Sequence, residues 1–189
     1  MRIMLIGSIL VAAGCGSPSA TLREPDSYQG CATDENWRTF DEQERGNLVK
    51  SDDTQAAAIK VPTEGLRLPA TARPSFTWQP TPTVAGRANG TASCLDNCTL
   101  CGGMHPCSLC GQHLPPTTGD EYDLQFTVDG AVAYRVLTTL QSFTPPEALW
   151  ATWGGKTVSL NAVRILFEVN RVQEGPFQPT KPISFSVVN

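Results

Sequence analysis

Between residues 121 and 136 apolar and polar side chains alternate almost without a break. Tyr122, Leu124, Phe126 and Val128 share one parity, and Glu121, Asp123, Gln125, Thr127 and Asp129 the other. Successive side chains of a strand point to opposite faces, so this run reads as a strand with an apolar inner face and a polar outer face. Asp129-Gly130 then supplies the dipeptide that a two-residue turn with positive φ prefers, and Val132, Tyr134 and Val136 carry the alternation back. The result is a β-hairpin, which commits the chain to an antiparallel framework.

The same reading extends outward from the hairpin. Leu66 and Leu68 alternate before Pro69, and Phe76 and Trp78 face one way before Pro80 and Pro82. A long strand is expected from Val158 to Val172. Its apolar set shifts by one residue, from Val158 and Leu160 to Val163, Ile165, Phe167 and Val169, which predicts a bulge near Asn161–Ala162. Gly175-Pro176 is expected to turn the chain into a last strand holding Ile183, Phe185 and Val187. Thr144-Pro145-Pro146-Glu147 reads as a helix start, with Thr144 as cap and Pro145 in the first turn, and Gly154-Gly155 as the stop, so the helix is Glu147–Trp153. Fifteen Pro and sixteen Gly cut the chain into short pieces, which favours all-β over helical architecture.

Ahead of these strands lies an acidic stretch. Residues 22–60 hold nine of the eighteen acidic side chains, yet Trp37 and Phe40 sit three apart within them. A short helix or loose coil would bring both onto one face and dock them on the main domain. No Asp-x-Asp-x-Asp loop occurs, so a solvated face is expected and not a calcium site. The expected organisation is a segment 1–14, a tether 15–21, an acidic and loosely structured segment 22–61, and a β domain 62–189 carrying a Cys-rich insertion 86–119.

The β domain resembles a fibronectin type III or Ig-like sandwich. Pro74-Ser75-Phe76-Thr77-Trp78 is similar to the second strand with its core Trp, and Tyr122-Asp123-Leu124-Gln125-Phe126 to the third. Val163–Asn170 and Pro182–Val187 are similar to the last two. The resemblance implies an antiparallel sandwich acting as a spacer or binding module. It departs from the family in lacking a clear tyrosine corner and in carrying Trp150 and Trp153 where a tight connection is usual.

The first residues give a different kind of information. One positive charge, Arg2, precedes about a dozen apolar or small residues, the layout of a secretory signal. The run is too short for a spanning helix, which needs roughly 20 apolar residues. Ala13-Gly14-Cys15 resembles the lipobox of bacterial lipoproteins, although Ala12 stands where Leu is more usual. The resemblance implies cleavage before Cys15, acylation of its thiol, including palmitate, and a protein held to a membrane in the cell envelope, periplasmic or surface-exposed. Gly16 after the anchor favours the outer membrane. Each buried methylene contributes about 0.8 kcal/mol, so two or three acyl chains make a durable anchor.

Five cysteines, Cys94, Cys98, Cys101, Cys107 and Cys110, fall in the insertion, together with both histidines, His105 and His113. Two chemistries suit them. Export to an oxidising compartment favours disulfides, and Cys31 completes an even set of six. Alternatively, Cys98-x-x-Cys101-Gly and Cys107-x-x-Cys110-Gly resemble the paired knuckles of rubredoxin and zinc ribbons, which implies zinc or iron held by four thiolates. Only five residues separate Cys101 from Cys107, a tighter spacing than zinc ribbons use. Neither Cys-x-x-Cys clearly opens a helix, which disfavours thioredoxin-type exchange, and Gly111 after Cys110 excludes the haem-attachment pattern.

Nothing in the sequence marks a catalytic residue. No Gly-x-Ser-x-Gly elbow and no phosphate loop occur. A formal charge of −4 with no Lys/Arg run argues against a nucleic-acid partner. The expectation is a non-catalytic binding or structural module, anchored to a membrane, with a protein or carbohydrate partner and no cofactor unless the knuckles hold metal.

Overall fold

A computed structural model describes residues 23–79 and 117–189. In chain order the elements are β1 (Ser27–Gln29), α1 (Asp34–Arg45), β2 (Lys50–Ser51), β3 (Ala58–Val61), β4 (Arg67–Pro69), β5 (Phe76–Gln79), β6 (Gly119–Val128), β7 (Ala131–Thr138), β8 (Ser142–Phe143), α2 (Glu147–Thr152), β9 (Thr157–Glu168), β10 (Arg171–Gln178) and β11 (Ile183–Val188). The protein is mostly β, in two sheets, as the alternation predicts.

The larger, eight-stranded sheet is built on the predicted hairpin. β6 pairs antiparallel with β7 on one side and with β9 along its whole length on the other. Asp129 and Gly130 both take positive φ, 54° and 80°, as the turn requires. The far edge of β9 is shared. Its first residues pair with β11 and its last with β10. Three short strands join in parallel, β1 to β7, β2 to β10 and β4 to β11, and all three precede residue 70. The smaller sheet runs β3-β5-β8 and packs across one face of the larger.

Between the sheets lies an aromatic core. Tyr122, Leu124 and Phe126 from β6 meet Phe76 and Trp78 from β5, Phe143 from β8, Trp150 from α2 and Trp153 just after it. The ring of Phe126 lies 5.2–5.6 Å from those of Phe76, Phe143 and Trp153, distances at which aromatic pairs add to simple burial. Phe185 and Val187 of the last strand close the core as expected.

The opposite face of the large sheet differs from the sequence expectation. Glu121 and Asp123 were expected to face solvent, yet both are 0% exposed. The cause is α1, which lies across this face. Trp37 and Phe40 bury themselves against Leu137, Val163, Ile165 and Phe167. The expectation that Trp37 and Phe40 dock is therefore met, but the surrounding segment is not loose. It supplies β1, α1, β2 and β3, each packed or paired with the main body. A helix of this length is marginal alone in water, and burial of side chains such as Phe40 contributes about 1.5–3 kcal/mol each toward ordering it.

The same helix explains the phase shift in β9. No bulge occurs at Asn161–Ala162, since the register with β6 is continuous from Val158 to Phe167. Val158, Leu160 and Ala162 face the aromatic core, whereas Val163, Ile165 and Phe167 face α1. The strand changes which of its faces carries the apolar residues because it is covered on both. Nor does the strand reach Val172. Val169 and Asn170 adopt φ of 52° and 59° and form a hairpin turn to β10. Gly175-Pro176, expected to turn the chain, instead lies inside β10, where the register with β9 shifts. A Cβ on Gly175 would stand 2.7 Å from the carbonyl oxygen of Arg164, so only glycine fits this approach. The helix at residue 147 begins as predicted but with Pro146 at the cap position and no side-chain cap, so Thr144 does not play that role.

Candidate functional site

The chain enters the Cys-rich insertion and leaves it at one end of the framework. β5 ends at Gln79, beside the segment after β7, where Trp78 N–H donates to Gln141 O at 3.2 Å. The chain re-enters at Thr117, whose N–H donates to Asn170 Oδ1 at 2.6 Å and whose carbonyl accepts from Asn170 N–H at 3.0 Å. Thr117 Oγ1 also donates to Cys31 O at 3.4 Å and lies 3.2 Å from Asn36 Oδ1. Cys31 in turn donates its N–H to Thr139 Oγ1 at 2.9 Å. Thus the end of β1, the start of α1, the end of β7, the start of β6 and the β9–β10 turn meet at one pole, with Cys31 among them. Tyr28, Leu140 and Val169, three of the four exposed large apolar side chains among the described residues, belong to the same elements.

Of the sequence-predicted residues, only Cys31 lies within the described part. Cys15, Cys94, Cys98, Cys101, Cys107 and Cys110, with His105 and His113, lie outside the described residues. Among the described residues no group of three or more His, Cys, Asp or Glu side chains could hold a metal ion. No helix among them is long and apolar enough to cross a membrane.

The structure adds two buried charge clusters that the alternation did not reveal. Under α1, Arg135 Nε donates to Asp123 Oδ1 at 2.8 Å and its Nη2 to Glu44 Oε2 at 2.6 Å. Its guanidinium carbon stands 4.3 Å from the ring centroid of Trp37, within cation–π range. Burial alone would lower the Arg135 pKa, but the Asp123 and Glu44 carboxylates reverse that and raise it. The first residues of the described chain join this cluster. Asp26 exchanges hydrogen bonds with the Arg135 backbone, and Arg23 Nη1 donates to Val132 O at 3.0 Å. A second cluster lies at the margin of the aromatic core, where Arg164 Nε donates to Asp120 Oδ1 at 2.7 Å and Nη1 donates to Gln55 O at 3.1 Å. Burial pushes the Asp120 carboxyl up, against the pull of Arg164.

Glu121 stands apart from both clusters. Neither carboxyl oxygen has a hydrogen-bond partner among the described residues. Burial, reinforced by the Asp123 charge two residues along the same face, raises its pKa to about 8. It therefore holds its proton well above the ordinary carboxyl range, beside Asp123, which Arg135 binds. Both carboxyls are sealed from solvent beneath α1. Asp123, through Arg135 and Glu44, ties α1 to the sheet.

The chain matches no family model. No curated protein and no solved structure matches it.

Proposed function

We propose that the protein is an exported lipoprotein whose non-catalytic β framework presents a disulfide-stapled loop to a protein or carbohydrate partner. Cys15 carries the lipid, and the site of residence is the cell envelope, at the outer membrane. The observation that carries this reading is the shared pole. The insertion departs beside Gln141 and returns at Thr117, which hydrogen-bonds to Cys31. A cysteine fixed through both its N–H and its carbonyl at the foot of a five-cysteine loop is well sited to staple that loop to the framework. Loops on rigid β frameworks commonly carry recognition, and the exposed Tyr28, Leu140 and Val169 add apolar contact area at that end.

The framework is read as a fibronectin III or Ig-like sandwich with additions. Trp78, from an early strand, packs edge-on against Tyr122 at 5.6 Å, in keeping with the core Trp of that plan. The three parallel pairings come from β1, β2 and β4, which lie ahead of the strands that carry the resemblance.

The test is elemental analysis and thiol counting on one sample of the mature chain, exported to a periplasm and purified without chelator. No metal and no free thiol is the expected result. About one zinc or iron per chain, lost with loop order on chelation, would replace the staple with a metal centre at Cys98, Cys101, Cys107 and Cys110. Free thiols without metal would point instead to thiol exchange.

A further inference from the structure

We draw no further inference here: the strongest candidate, the hydroxyl and amide face that Gln125, Thr127, Thr157, Ser159, Ser184 and Ser186 form on β6, β9 and β11, bonds its hydroxyls to one another across the strands, and nothing in the structure shows what covers it.

Discussion

The two faces of the large sheet are both closed, but they are closed by different chemistry. One face meets the small sheet through rings, with Phe76, Trp78, Phe126, Phe143 and Trp153 filling it. The other meets a single helix through a mixed layer, in which Trp37 and Phe40 share the space with Asp123, Arg135 and Glu44. The aromatic face is held by non-directional burial and tolerates no loss of volume. The α1 face is held by a few groups of fixed partnership, so its stability depends on charge state as well as on packing. The lesson is that alternation reveals which side chains share a face, while the cover on each face decides what those side chains do.

The aromatic face should produce the largest effect. Phe126→Ala removes a ring that touches three others, and a loss of about 3–5 kcal/mol is expected from the lost transfer energy and the cavity together. Urea unfolding monitored by tryptophan fluorescence would measure it. A loss under about 1 kcal/mol would mean that the two-sheet core is less tightly packed than the ring distances indicate.

On the α1 face the nearest equivalent is Arg135→Met. It keeps much of the side-chain length but leaves Asp123 buried without its cation, and about 3 kcal/mol should be lost. Replacing Asp123 by Leu in the same chain should restore most of that loss, because the cost lies in the unpaired charge and not in the missing attraction. Phe126→Ala has no such rescue. A double variant as unstable as Arg135→Met alone would erase the distinction between the two faces.

Much of this framework was legible beforehand, and the reasons for the misses are physical. The hairpin at Asp129–Gly130, the inward pair Phe76 and Trp78, and the closing strand with Phe185 and Val187 rest on period-2 alternation, which the pleat imposes wherever one face is buried. Glu121 and Asp123 were misassigned to solvent because a carboxylate has the same place in the pattern whether it meets water or a partner such as Arg135. One signal of the second cover was present. The parity change to Val163, Ile165 and Phe167 marks a strand apolar on both faces, which a bulge would also produce in sequence. The β9–β10 turn was hidden because Val169-Asn170 lacks the glycine that usually announces positive φ. At the candidate site, Cys31 and Thr117 meet across a sequence separation of 86 residues, and no local pattern encodes that contact. The metal or disulfide choice at the five insertion cysteines rests on residues outside the described part.

Glu121 offers a sharper probe of the α1 face than deletion. Its folded pKa of about 8 lies above the ordinary 4.5, so between those values the folded protein binds more protons than the unfolded chain. Stability from this group therefore falls as pH rises through that window, by up to about 1.4 kcal/mol per pH unit. Glu121→Met removes the titration at similar length and leaves no polar atom without a partner. The variant is expected to be the more stable already near pH 4.5, where the neutral carboxyl still lacks a partner, and its advantage to grow by about 2 kcal/mol or more by pH 8. Parallel stability curves for the two chains across that range would show that the carboxyl is hydrated or paired and that the face is not sealed.

The smallest effect tests whether α1 is held only from below. Thr33 caps the helix, accepting at Oγ1 from the Asn36 N–H at 3.2 Å, and Asp34 and Glu35 place negative charge in the first turn. Loss of a threonine cap costs about 1 kcal/mol in proteins generally. If α1 and the sheet unfold as one unit, Thr33→Ala should lower global stability by that amount, and amide exchange in the helix and in β6 should rise together. If instead the charged layer lets α1 detach first, exchange should rise in Trp37–Glu44 alone while β6 keeps its protection. Sealing of Glu121 and Asp123 requires that the helix stay down for as long as the sheet is folded, so the joint response is the expected one. Exchange confined to the helix would mean that the two carboxyls meet solvent in a minor open state, and the α1 face would then be the yielding side of the sheet.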